Sequence, residues 1–380
     1  MAGLGSTMSM RLCDPMLPQL ALEFDRPVTS LASVVTMFTV AYGIFSLVHG
    51  PLGDRKGKLK VVSFATLFAG LASLICALAL SFEWMVVLRF ATGAACAAII
   101  PLSLAWIGDS MPDEQRQQTL ARFAAATISG MILGQIIGGV FADTLGWRAA
   151  FVATALLFLI AGVRLFLFAH TRVAQLADQS SVSVIDGYVD LLRNRWMRFA
   201  ILVVSIEGAC AFGALAFIPT RLHLHFGLPL WHAGLVVAMF GIGGLIFSWR
   251  SRALIDSLGE TGMARVGALS IGIGIFSIVW IPHWIFAVPA CALAGFGFSM
   301  LHNTLQNLAT RAHPAARGTA IAGFVLGLFL GQSIGISLCA VIIEHLGFEI
   351  AFALTGVTLP VLGYVVAAGF VRRAAEQPAT

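Results

Sequence analysis

Four charged side chains stand where charge is expensive. Arg11, Asp14, Arg89 and Glu207 lie inside long apolar stretches of this 380-residue chain, and an ionisable group in such a stretch is costly and usually has a partner or marks a pathway. If each stretch is a helix crossing a bilayer, Asp14 lies about six residues from the end of the first and Arg89 about five into the fourth from the same side, so at ~1.5 Å per residue both sit about 7–9 Å deep and can pair. Arg11 is one helical turn deeper than Asp14, on nearly the same face. A carboxylate held by an arginine that can be withdrawn is a workable proton switch, because losing the cation favours the protonated acid. The plainer account is a fixed salt bridge, or an Arg89 that snorkels to the interface. Glu207 falls near the middle of the seventh stretch with no obvious neighbour in sequence. Such a carboxyl suits proton carriage or a cationic substrate, or else it is neutral and hydrogen-bonded between helices. Ser299, His302, Asn303 and Gln306 share one helical face in the tenth stretch. Lipid will not take that face, so it should look into a cavity, where His302 can bind substrate or protons; the alternative is hydrogen bonding between helices. Gln135 and Gln332 occupy matching places in the fifth and eleventh stretches and offer a symmetric pair of polar contacts.

The elements that carry these residues follow from composition. Hydrophobic residues make up 59% of the chain and charged residues 11%, against about 25% charged in a soluble domain. Mean hydropathy is +0.92. The outside must face lipid. Twelve spans are read at roughly 2–20, 31–50, 61–80, 84–107, 118–141, 149–168, 198–220, 231–249, 263–281, 284–308, 318–343 and 349–370, each near the ~20 residues a helix needs to cross the bilayer core. The first is the weakest, since it starts at the first residue and contains Arg11 and Asp14. The segments are too long and uniformly apolar for the alternating strands of a barrel. Cys13, Cys76, Cys96, Cys210, Cys291 and Cys339 all fall in apolar segments without a Cys-x-x-Cys spacing, so neither a zinc site nor a disulfide framework is expected. The first ten residues lack the pattern of a signal peptide.

Charge placement orients the spans. Eighteen of the 23 lysines and arginines fall in one alternate set of turns and the C-terminal tail, among them Arg55, Lys56, Lys58 and Lys60; the other set holds only Arg26, Arg148 and Arg221. By the positive-inside rule both termini are cytoplasmic. The net charge of +5 then belongs to the cytoplasmic leaflet, and nucleic acid is not an expected partner.

The chain also repeats itself. Asp54-x-x-Gly57 returns as Asp256-x-x-Gly259, Gly93 as Gly295 and Pro112 as Pro314, 202 residues on; Arg116 and Phe123 return as Arg317 and Phe324, 201 on. Gly134-Gln135-Ile136-Ile137-Gly138 returns as Gly331-Gln332-Ser333-Ile334-Gly335, only 197 on, and Leu145-Gly146 and Ala150-Phe151 return as Leu346-Gly347 and Ala351-Phe352, again 201 on. The excursion to 197 requires four residues fewer in span eleven, then their recovery. The glycine ladders Gly130/Gly134/Gly138 and Gly323/Gly327/Gly331/Gly335 read as helix-packing faces. The expected fold is therefore an all-α membrane protein, with twelve transmembrane helices in two six-helix pseudo-symmetric halves around a central cavity. Residues 1–168 form the first bundle, 169–197 a cytoplasmic linker, 198–370 the second bundle and 371–380 a tail. Parallel repeats of this kind place a binding site at their interface and alternate access by rocking.

The segment Gly50-Pro51-Leu52-Gly53-Asp54-Arg55-Lys56-Gly57-Lys58-Leu59-Lys60 resembles the signature between spans two and three of the major facilitator superfamily, with Leu59 where a basic residue is usual. Arg89-Phe90-Ala91-Thr92-Gly93 resembles the span-four Arg motif, and Gly130 to Gly139 the span-five antiporter motif, with Gln135 in place of the usual Pro. The nearest likeness is to the twelve-span drug/proton antiporter branch. The resemblance implies that Gly50, Asp54, Arg55 and Gly57 form a conformational latch whose partner lies near Gly318 and Thr319. It also ties the span-one acid and the span-four Arg to coupling.

Phosphate loops and zinc motifs are missing from the sequence, so an enzyme is not expected, nor any cofactor or metal. The expected activity is proton-coupled efflux of a small amphipathic or hydrophobic molecule, with Asp14 and Glu207 carrying protons, from a monomer in the plasma (inner) membrane. The rivals are a facilitator or importer of a metabolite, and a membrane sensor or scaffold that moves nothing.

Overall fold

The structure is a computed structural model that describes residues 1–170, 191–312 and 317–376. Regular structure among the described residues is helical, with no strand, as lipid demands of segments that must satisfy their own backbone hydrogen bonds. The chain divides into two compact units, Met1–Val189 with Pro229–Gly234 and Asp190–Leu228 with Leu235–Thr380. The first contains α1 (Ala2–Arg11), a 3-10 turn (Asp14–Met16), α2 (Leu17–Phe24), α3 (Val28–Lys56), α4 (Lys58–Cys76), α5 (Phe82–Ser110), α6 (Asp113–Asp143) and α7 (Trp147–His170). The second contains α8 (Arg195–Leu215), α9 (Ile218–Phe226), most of α10 (Leu230–Trp280), a 3-10 turn (Trp284–Phe286), α11 (Ala287–Ala312) and α12 (Arg317–Glu376).

Among the described residues nine helices are long and apolar enough to cross a membrane. Two of them, α10 with 51 residues and α12 with 60, each contain one glycine with non-helical backbone, Gly259 and Gly347. The nine correspond to the twelve crossings read from the sequence when these two are divided there and α1 with α2 is read as one interrupted crossing. Gly57 (φ 91°) and Gly259 (φ 59°), like Gly146 (φ 83°) and Gly347 (φ 89°), are repeat partners that turn the chain at equivalent places. Only glycine adopts this backbone readily. The interruption of the first crossing also has a local cause. Pro15 and Pro18 have no N–H to give the carbonyls of Arg11 and Asp14, so α1 stops and the chain tightens into the 3-10 turn.

The helix seams explain the 197-residue offset and correct its expected cause. In the first half α6 packs on α1 so closely that a Cβ on Gly130, Gly134 or Gly138 would collide with the backbone of Leu4, Met8 or Leu12. In the second, Gly327, Gly331 and Gly335 of α12 meet Ile201, Ser205 and Ala209 of α8 in the same way. Both sides of the second seam stand 197 residues on. No residues are deleted from the helix, which runs unbroken from Arg317 to Gly347. The glycine seam has instead moved by one turn on both helices together, because a seam can slide only if its two faces slide in step.

Other contacts repeat with reversed sign. Glu23 pairs with Arg148 at 2.6 Å and Arg221 with Glu349 at 2.9 Å; Lys58 pairs with Asp109 at 2.6 Å and Glu260 with Arg311 at 2.6 Å. The positions correspond but the charges are exchanged. The pairs exposed on both sides, Glu23–Arg148 and Glu260–Arg311, contribute at most about 1 kcal/mol each, yet a helix mispaired with its counterpart would set like charges together, Glu23 against Glu349.

Most of the 169–197 linker, and Pro314 of the repeat, lie outside the described residues. At the linker's described end Leu191 is buried and packs near Gly323, and Asn194 caps α8 by accepting from the Trp196 and Met197 amides. Helix α12 continues past 370 to Glu376, which pairs with Arg195.

The seam between α3 and α5 gives a direct test of the repeat. A Cβ on Gly93 would run into the Phe38 carbonyl, and one on Gly295 into the Phe240 carbonyl, 202 residues on. Gly93→Ala and Gly295→Ala should each lower stability by about 2–3 kcal/mol through overpacking. Gly108→Ala in α5, where a Cβ meets open space, should cost nothing. Thermal unfolding of the purified protein reads all three, and an unchanged midpoint in either seam variant is incompatible with this packing.

Candidate functional site

Among the described residues each half holds one buried carboxylate on its first crossing. In the first half Asp14 opens the 3-10 turn that interrupts the crossing, and the turn brings it back toward α1. Arg11 Nη1 lies 3.5 Å from Asp14 Oδ2, with both side chains 1% or less exposed. Gln135 Nε2, from α6, donates to the same oxygen at 2.9 Å. Asp14 Oδ1 and Gln135 Oε1 are buried with no hydrogen-bond partner among the described residues. The expected Asp14–Arg89 pair is not formed. Arg89 donates instead to Ser9 Oγ and to the Val34 carbonyl, both at 3.2 Å, and lies 4.3 Å from the Phe38 ring centroid and 6.0 Å from that of Phe151. The reason is local. Arg11 precedes Asp14 by three residues at a helix break and reaches it without leaving its own segment, while the aromatic faces of Phe38 and Phe151 hold the Arg89 cation. Neither Ser9 nor Phe38 stood out in the sequence, although Phe38 has a repeat partner in Phe240.

In the second half Glu207 is fully buried on α8 and has a partner on another helix. Its Oε2 lies 3.0 Å from His302 Nδ1 of α11, a distance at which the two groups can share one proton. Glu207 Oε1 has no partner among the described residues. The His302 ring stacks on Phe298 at 5.0 Å and 18°, and lies 5.2 Å from Phe324. Phe298 in turn meets Phe212 at 4.8 Å and Phe240 at 5.6 Å. A carboxylate and an imidazole thus sit in an aromatic enclosure. Sequence reasoning found both polar members separately and missed their pairing, because 95 residues separate them.

The two acids are not symmetric. Along the 197-residue seam, Asp14 corresponds to Ala211, Arg11 to Gly208 and Gln135 to Gln332. Glu207 stands one helical turn before the Asp14-equivalent position. Gln135 is used to hold Asp14, whereas Gln332 is buried with neither side-chain polar atom partnered among the described residues. Of the two matching glutamines, Gln135 thus contacts Asp14 and Gln332 has no such contact.

The stripe on α11 has the expected single face. Ser299, His302 and Asn303 are half-buried and Gln306 is exposed, while Met300, Leu301, Thr304, Leu305 and Leu308 on the other side are buried. Asn303 Oδ1 accepts from Asn307 at 3.4 Å.

At the turn between α3 and α4, Gly57 adopts its positive φ, and space around Gly50 is open; the tight approach is made by Gly53, against Leu102. Asp54 lies 3.2 Å from Lys58, which also binds Asp109 at 2.6 Å. Lys58 is thus more than a topology charge, and Asp109 is a partner the sequence did not reveal. Arg55 is exposed. In the other unit α12 begins at Arg317, so Gly318 and Thr319 occupy its first turn.

Comparison with known proteins adds four relationships. The family model of the Major Facilitator Superfamily matches residues 1–323. The chain is 24% identical over 304 residues to the probable L-galactonate transporter of Escherichia coli (strain K12), covering 74% of this chain and 66% of that one. It is 23% identical over 320 residues to the chloramphenicol resistance protein CraA of Acinetobacter baumannii, covering 82% and 76% respectively. Among solved structures, the nucleoside transporter NupG matches with a TM-score of 0.74 at 15% identity over 97% of this chain and 98% of that one, a likeness of fold.

Proposed function

The chain belongs to the major facilitator superfamily, and from that premise we propose that it exports a small amphipathic or hydrophobic molecule in exchange for protons. Its family makes it a multi-pass integral membrane transporter and not an enzyme. The finer reading rests on one observation: each half buries a carboxylate on its first helix, with one oxygen hydrogen-bonded and the other without a partner among the described residues. Such groups are expensive inside a membrane. A pair of them, each held by a group that can be withdrawn, suits alternating protonation as the halves rock. Arg11 and Gln135 hold Asp14, Arg89 adds positive charge nearby, and His302 holds Glu207. Asp54, Arg55, Gly50 and Gly57 act as the latch between conformations. The likeness to CraA supports efflux. Both termini lie in the cytoplasm, the membrane is the inner membrane, and one chain suffices because it contains both halves. Substrate and protons are its only partners besides lipid.

The metabolite reading has its own support in the L-galactonate relative and in the partly open polar stripe Ser299, His302, Asn303 and Gln306. The two are separated by reconstituting the purified chain in liposomes with a trapped pH indicator and adding chloramphenicol or L-galactonate. Proton movement evoked by chloramphenicol is the expected result. Carriage of either compound with no proton movement would leave a facilitator and end the coupled reading.

A further inference from the structure

A groove of about 640 Å³ lies among α3, α4 and α5 of the first half, separate from the acid sites. Its lower wall is aromatic and apolar, with Phe45 from α3, Phe64 and Phe68 from α4, and Ala94 from α5. Phe64 and Phe68 are about half exposed, at 51% and 53%. Lys56 and Lys60 stand at the other end, both exposed and lining the same groove. These lysines differ from their neighbour. Lys58 is taken by Asp54 and Asp109, whereas neither Lys56 nor Lys60 has a carboxylate within ion-pair distance among the described residues. The occupant that fits has an anionic head and an apolar body. From Lys60 to Phe68 is eight residues of helix, about 12 Å, which is far too long for a free anion and matches the upper part of an acyl chain.

We propose that this groove binds one anionic phospholipid, its headgroup phosphate on Lys56 and Lys60 and its chain along Phe45, Phe64 and Phe68. The assignment rests on the orientation adopted above, in which the turn between α3 and α4 faces the cytoplasm. Basic pockets between membrane helices on that side recruit anionic headgroups, and the negative leaflet adds to the attraction. The bound lipid would sit directly beside the Asp54–Lys58–Asp109 cluster, so its headgroup charge reaches the latch without competing for Lys58.

Native mass spectrometry of the full-length protein, offered equal phosphatidylglycerol and phosphatidylcholine, reads the proposal without substrate or a proton gradient. Its failure is therefore distinct from failure of the transport reading. The wild type should retain phosphatidylglycerol preferentially. Lys56→Gln/Lys60→Gln should weaken that retention about 30-fold, from about 1 kcal/mol per lysine at the membrane surface. Phe64→Ala/Phe68→Ala should weaken both lipids, because it removes the wall and leaves the charges. Arg250→Gln/Arg252→Gln, a basic pair on α10 outside the groove, should leave retention unchanged, and glycerol phosphate should not displace the lipid. No headgroup preference in the wild type would overturn the site. An equal loss in the Arg250/Arg252 control would assign the binding to general surface charge, and displacement by glycerol phosphate would assign it to a free-phosphate site; either result overturns the lipid.

Discussion

Asp14→Asn should abolish substrate-evoked proton movement and, by itself, destabilise the protein by about 3–5 kcal/mol, the cost of leaving a buried charge without its counter-charge. The charge in question is Arg11, 1% exposed and 3.5 Å from Asp14. Asparagine keeps an oxygen for Gln135 Nε2 but cannot balance the guanidinium. The double variant Arg11→Gln/Asp14→Asn removes both charges and should recover at least half of the lost stability, since the penalty belongs to the broken pair and is not additive. It should still move no protons. The two readouts therefore separate a structural role from a coupling role. If the double variant is stable and couples protons like the wild type, Asp14 is not the carrier. If Asp14→Asn is as stable as the wild type, the Arg11–Asp14 interaction is not the one the structure describes. Arg89 enters only indirectly, because it is held by Ser9, Val34 and the Phe38 ring.

Glu207→Gln should behave differently, keeping the fold while losing coupling. Glutamine retains a hydrogen-bonding group for His302 and carries no charge, so its stability cost should stay below about 1.5 kcal/mol, the net worth of a hydrogen bond. His302→Ala should cost more, about 1–3 kcal/mol, because it leaves a buried carboxyl without its partner and removes the ring that stacks on Phe298. Combining the two should cost less than their sum. Exchange of labelled substrate across the membrane, which needs no net proton transfer, should survive in Glu207→Gln, whereas substrate-driven proton movement should fall to background. A Glu207→Gln protein that still moves protons at the wild-type ratio would remove Glu207 from the coupling scheme and leave the Glu207–His302 pair as an interhelical tie.

Much of the fold was legible because lipid imposes simple rules. Apolar length marked the crossings, and the recurrence of Gly57 at Gly259 and of Gly146 at Gly347 marked the turns, since a tight turn at positive φ tolerates little else. The repeat was legible for the same reason: close helix seams demand glycine, as Gly93 and Gly295 demonstrate against Phe38 and Phe240. The division of α10 and α12 at single glycines was equally visible. The cause of the 197-residue offset was not, because a seam involves two helices and the sequence shows one at a time. Only the contacts of Ser205 and Ala209 revealed that α8 had moved in step with α12.

The candidate sites divide along the same line. That Asp14, Arg11, Arg89 and Glu207 are exceptional was determined by the sequence alone, because charge within an apolar span is costly wherever the span packs. Which charge meets which was decided by tertiary structure. Asp14 turned to Arg11 and Gln135 because prolines break the first helix beside it, and Glu207 met His302 because α8 and α11 are neighbours. Burial cost is a property of one residue and its local segment, and so can be read along a chain. Pairing is a property of two side chains a few ångströms apart, and 95 or 121 residues of sequence separation carry no trace of that distance.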